Sequence, residues 1–222
     1  MIFSPKHLDE YFIVQFPVDF LGFDTEIKPF EYLEFARLDL SDGNESRNLI
    51  NSLGNAKRAL HLQVETIADG YGYRKLSKSS KFPPKLEFLS DIGIATPSII
   101  SKLNTLRNKV EHDYIVPDLE QIQDYCDIVE LFLRATEGPI NTFPSGVEFE
   151  SNESFDIIET KSPRKSPLPE MLTIDVVKFE GEIKISGSDI DSSNAFEQIV
   201  TTANAEYSRW INQILKHTFR RV

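Results

Sequence analysis

"TPSIISKLNTLRNKVEHDY", residues 96–114, is the stretch on which the reading of this chain turns. Thr96 suits a helix N-cap and Pro97 the first helical position. At about 100° per residue, Ile99, Ile100, Leu103, Leu106 and Val110 form one apolar arc. Arg107 falls inside that arc, between the directions of Leu103 and Ile100. A guanidinium there must meet a carboxylate, an anion or an interface, because burying the charge unpaired is very costly. Glu111, one turn on, offers the plainest partner, an i,i+4 ion pair worth on the order of 0.3 kcal/mol. His112 points about 140° away from Arg107 on an ideal helix. The two converge on one ligand only if the helix loosens before "DYIVPD" or two copies of the chain face one another. Asn108, four residues before His112, shares its face and can orient the imidazole or hydrogen-bond a ligand. Tyr114 lies two turns beyond Arg107, on Arg107's side.

Outward from this segment the pattern is helical. "KPFEYLEFARLDL" reads as a first helix stopped by "SDGN". A long amphipathic helix follows from Glu45, with Leu49, Leu53, Ala56, Leu60, Val64 and Ile67 at three- and four-residue spacing, ended by "DGYG". Pro83-Pro84 opens a short helix. Asp118 and Gln121 make a capping box for "DLEQIQDYCDIVELFLRATEG", whose stripe is Ile122, Cys126, Val129 and Leu133. Short strand-like segments come next: "GVEFE", "FDIIE", "LTIDVVKF" and "EIKISG". A last helix is expected from about Ala195 to Phe219, and a short strand near the N-terminus at Tyr11–Phe16. These signals predict a mainly α chain, an antiparallel helical bundle with a small C-terminal α+β appendage whose sheet the N-terminal strand could join. The division expected is residues 1–42 as N-terminal strand and first helix, 43–137 as the bundle and 145–222 as the appendage.

Composition narrows the function. The formal net charge is −11, whereas a protein that holds long nucleic acid nonspecifically usually carries a basic field. One basic concentration exists, "RKLSKSSKFPPK", which reads as either a solvated loop or a phosphate-steering rim. A single cysteine, Cys126, makes neither an intramolecular disulfide nor a zinc site. No apolar run is long enough to span a membrane and no export signal is visible, so a cytoplasmic protein without membrane contact is expected.

Arg107-Asn108-Lys109-Val110-Glu111-His112-Asp113-Tyr114 resembles the signature of the HEPN family, in which an R-x4-6-H motif lies near the end of a bundle helix. The resemblance covers roughly residues 45–137 and leaves the first 40 residues and the C-terminal part unexplained. It implies a metal-independent endoribonuclease without cofactor, commonly a toxin or phage-defence effector, acting on RNA as a homodimer whose two motifs face each other. Arg107, Asn108 and His112 would then be catalytic. RNA carries its own nucleophile, so His112 could move protons and Arg107 could hold the phosphate, leaving 2′,3′-cyclic phosphate ends. Tyr114 resembles the tyrosine that nucleotidyltransferase antitoxins adenylylate in related toxins; packing on the bundle is its simpler role.

Arg58 and His61, in "NAKRALH" on the long helix, are supporting candidates because bundle helices pack face to face. His61 can equally be a boundary histidine with a local hydrogen bond. No metal-ligand spacing is found. The competing expectation is a non-catalytic HEPN-like dimerisation or interaction module in which Arg107–Glu111 is structural.

Overall fold

The computed structural model describes residues 3–17, 19–94, 98, 100, 115–153, 167–189 and 195–219. A 3-10 turn, Pro5–Glu10, leads into β1, Tyr11–Gln15. Two helices adjacent in sequence follow, α1 (Pro29–Ser41) and α2 (Ser46–Gly70), then α3 (Phe82–Asp91) and α4 (Leu119–Ala135). Strands β2 (Val147–Ser151), β3 (Met171–Val177), β4 (Glu182–Ser188) and β5 (Phe196–Thr201) precede the last helix, α5 (Tyr207–Phe219).

The expectation of a mainly α chain with a small appendage is corrected. The strands form one five-stranded antiparallel sheet in the order β1-β2-β3-β4-β5. Among the described residues helix makes up 54% and strand 17%, an α+β mixture rather than a helical bundle. The expected joining of the N-terminal strand does occur, since β1 is the edge strand of this sheet. Tyr11 pairs with Ser151 and Ile13 with Phe149, so the sheet gains an edge strand from the far end of the chain. The C-terminal expectation also needs revision. Residues 196–201 are strand, Ile183 pairing with Val200 and Lys184 with Ile199, and the helix starts only at Tyr207. The β-branched run Ile199-Val200-Thr201-Thr202 suits a pleated surface better than a helix.

Where periodicity was strong, the elements follow it. α2 buries Leu49, Leu53, Ala56, Leu60, Val64 and Ile67, the stripe read from the sequence. At the start of α4, the Asp118 side chain accepts from the Gln121 backbone N–H at 2.8 Å, and the helix buries Ile122, Cys126, Val129 and Leu133. α5 buries Tyr207, Trp210, Ile211, Ile214 and Leu215, which recur at helical spacing. Each large side chain so buried contributes about 2 kcal/mol of transfer free energy.

One contiguous core joins helices and sheet. Strand side chains alternate, so Leu172, Ile174 and Val176 of β3 and Ile183 and Ile185 of β4 point inward. α5 packs against α3, β1 and the 3-10 turn. Phe3 stacks on Trp210 with centroids 5.8 Å apart and planes inclined by 30°, and Gln198 of β5 grips its backbone, donating to the Phe3 carbonyl and accepting from the Phe3 N–H. α1 lies along α2, and α4 packs on both. Arg37 of α1 bridges to Asp127 of α4 at 3.1 Å and to Glu130.

Candidate active-site face on α2

The long helix α2 carries its apolar stripe on one side and Arg58, His61, Glu65 and Asp69 on another. Spacings of three, four and four residues hold these four within about 80° of arc. Each is fixed differently. The Asn55 amide accepts from Arg58 Nη1 at 2.7 Å, and itself donates to Asp39 Oδ2 of α1 at 2.9 Å. Arg58 remains exposed, so its guanidinium is oriented yet open to solvent.

His61 is half-buried, and its ring stacks on Phe82 of α3 with centroids 4.0 Å apart and planes 5° from parallel. That contact locks the imidazole plane against α3. Glu65 Oε1 meets Lys85 Nζ at 3.0 Å, and the Lys85 side chain is buried. Asp69, buried at the end of α2, accepts from Arg74 Nε through Oδ2 at 2.7 Å. Its other oxygen, Oδ1, and the buried Tyr73 hydroxyl find no hydrogen-bond partner among the described residues.

The structure therefore brings Arg58 and His61 to one face. The other residues singled out in the sequence, Arg107, Asn108, Glu111, His112 and Tyr114, lie outside the described residues. Sequence reading missed the Glu65–Lys85 and Asp69–Arg74 pairs. The four-residue spacing of His61, Glu65 and Asp69 was the available signal, but the partners Lys85 and Arg74 stand in the basic segment, which reads as a solvated loop or a phosphate-steering rim running into a short helix.

That segment is a loop only in part. Lys85 lies within α3, and Tyr73–Leu76 forms a single helical turn. Arg74, Lys75 and Lys85 each meet a carboxylate, Lys75 joining Glu180 at 2.8 Å. Lys78 and Lys81 are exposed.

Elsewhere, Cys126 is buried beside Ser52, Sγ to Oγ 3.7 Å, and its thiol is held above the ordinary range, chiefly by burial. His217 meets Asp9 at 3.7 Å and packs edge-on to Phe149. Among the described residues no group of three or more His, Cys, Asp or Glu side chains is placed to hold a metal ion. No helix among them is long and apolar enough to cross a membrane. No family model, curated protein or solved structure matches this chain.

Proposed function

We propose that this chain is a metal-independent endoribonuclease of the HEPN type that works as a homodimer. The observation that carries the reading is the Arg107-x4-His112 sequence motif, with Asn108 four residues before His112. Arg58 and His61 add to it, because α2 presents an oriented, solvent-open guanidinium and a stacked imidazole one turn apart. The reaction asks for little else. The 2′-OH of RNA attacks the adjacent phosphorus and the bond to the 5′ oxygen breaks. One proton leaves the 2′ oxygen and one reaches the departing 5′ oxygen. An imidazole with an ordinary pKa near 6.5 can serve either transfer. Arg107 stabilises charge on the phosphorane, and Arg58 adds a second cation at the edge of the site. A toxin or defence role fits this chemistry, and Tyr114 would be the point at which a nucleotidyltransferase antitoxin silences it.

The test is cleavage of end-labelled RNA in EDTA by the wild type, His112→Ala and Arg107→Ala. Cutting by the wild type alone, with 2′,3′-cyclic phosphate ends, supports the reading. Three equally inert, folded proteins overturn it.

A second reading has its own observation. Phe35 and Leu38 of α1 and Leu131 of α4 are exposed, Leu131 to 70%, on helices that pack side by side. Apolar side chains so placed suit a non-catalytic dimerisation or interaction module. Leu131→Asp would then change the oligomeric state seen by light scattering while leaving the fold intact.

A further inference from the structure

The β3–β4 turn contains a bulky residue in a conformation that bulky residues avoid. Phe179 has φ 63°, alone among non-glycine residues of the described chain with positive φ. An aromatic side chain in the left-handed region is a strained choice where glycine or asparagine would be easier. The fold uses the Phe179 backbone, whose N–H donates to the Gly70 carbonyl at the end of α2 at 3.0 Å. It makes little use of the ring, which is 45% exposed.

Two more large apolar side chains stand around the same point. Phe20 is 63% exposed and Leu76 47%. Leu21, next to Phe20, packs against Gly70, while Lys75, next to Leu76, packs against Gly181 two residues past Phe179. The Lys178 ammonium lies 5.7 Å from the centre of the Phe20 ring. Three chain segments thus leave apolar side chains in water around the α2 terminus.

The charge beside them is unlike that of the rest of the molecule. The segment that carries Leu76 holds Arg74, Lys75, Lys78 and Lys81 within residues 74–81 with no acid among them, on a chain of −11. Asp69 is buried beneath Arg74, whose side chain is 77% exposed, so the outer edge of that guanidinium faces solvent. With Lys78 and Lys81 it makes a line of cations along one segment. Exposed rings flanked by a line of cations are the elements of a single-strand nucleic-acid surface, bases stacking on the rings and phosphates tracking the cations.

We propose that the surface formed by Phe20, Phe179 and Leu76 with Arg74, Lys78 and Lys81 binds single-stranded RNA. The inference deepens the ribonuclease reading and rests on it for the choice of RNA. A membrane is the poorer fit. Cations strung along one chain segment suit a linear polyanion better than a plane of lipid headgroups.

The experiment is fluorescence anisotropy of a labelled 12-nucleotide poly(U) RNA in EDTA. It uses the full chain carrying His112→Ala, then the same chain with Phe179→Gly, Phe20→Ser, or both. Glycine suits φ 63°, so Phe179→Gly keeps the turn. Each ring removed is expected to weaken binding by about fivefold or more. Lys78→Gln with Lys81→Gln is expected to lower the salt dependence of binding. Unchanged affinity in the double ring variant overturns the proposal, as does binding to phosphatidylserine vesicles without binding to RNA. Ring-dependent binding by a wild type that does not cleave sustains this surface and defeats the nuclease reading. Cleavage by a wild type whose RNA affinity ignores the rings does the reverse.

Discussion

Gly72 and Gly181 meet backbone to backbone: a methyl group on Gly72 would fall 2.4 Å from the Gly181 Cα. The same methyl would lie 2.8 Å from the Tyr207 hydroxyl. This contact joins the end of α2 to the β3–β4 turn, and it is closed to any side chain. Gly72 also has φ 94°, a region costly for L residues. Gly72→Ala is therefore expected to destabilise the fold by about 2–4 kcal/mol, adding backbone strain to overpacking. A fall in Tm of roughly 5–15 °C in calorimetry would register it, and an unchanged Tm would show that the contact yields.

The Glu65–Lys85 pair makes a second test. The Lys85 side chain is only 8% exposed while that of Glu65 is 42% exposed. Removing the carboxylate leaves a buried ammonium without its partner, a cost reduced here by solvent reaching the glutamate side. Glu65→Gln should lower stability by about 1–3 kcal/mol in urea denaturation. Lys85→Met should cost less, since it removes the buried charge itself.

Alkaline pH probes the join between helices and sheet. The Tyr207 hydroxyl donates to the Tyr71 carbonyl at 2.9 Å, and the Tyr71 hydroxyl to the Pro139 carbonyl at 3.1 Å. Burial raises both phenols above their ordinary 10.0, and the neighbouring Tyr207 raises Tyr71 further. Their neutral forms stabilise the fold in full below about pH 10, the unfolded value. Above it the unfolded chain releases protons that the folded chain retains, so stability falls as pH rises towards the folded values. Urea midpoints should drop steeply above about pH 10, and Tyr71→Phe should flatten that slope while weakening the fold at neutral pH.

Cys126 should be silent until the fold opens. Its thiol is buried, and burial holds the thiolate form back. A chromogenic disulfide reagent is expected to react at the rate of unfolding, and rapid labelling of the native protein would contradict the packing of α2 on α4.

Arg58 and His61 separate activity from stability. Arg58 is exposed, so Arg58→Ala should shift stability by less than about 0.5 kcal/mol. If it flanks the phosphate, cleavage of RNA by that variant should fall by at least about tenfold. His61→Ala loses the stack on Phe82 and should cost about 1 kcal/mol in addition to any effect on cleavage.

The helices were readable because their signals are local. The α2 stripe repeats over 25 residues, and the Asp118–Gln121 cap needs only four. The N-terminal strand and its place in the C-terminal sheet were legible, but the register was not, because pairing Tyr11 with Ser151 leaves no trace in either stretch alone. "FEQIVT" misled for a related reason. Its buried Val200 alternates with half-buried and exposed neighbours too briefly to outweigh the helical pattern that follows it. Arg58 and His61 were found as candidates by residue type and position. Asn55, three residues before Arg58 on the same helix, was within reach of the spacing argument, whereas Phe82, which fixes His61, comes from a tertiary contact that spacing does not encode.

The position of β1 bears on the order in which the molecule can be made. At about 5–20 residues per second, a ribosome needs roughly 7–30 seconds between finishing Tyr11 and reaching Ser151. Helices α1 and α2 can dock on each other during that interval, but Tyr11–Gln15 must wait as an unpaired strand with Phe3 and Leu8 in water. The nascent chain is thus open to wrong pairing at Tyr11–Gln15, and the late arrival of β2 and Trp210 ends that exposure.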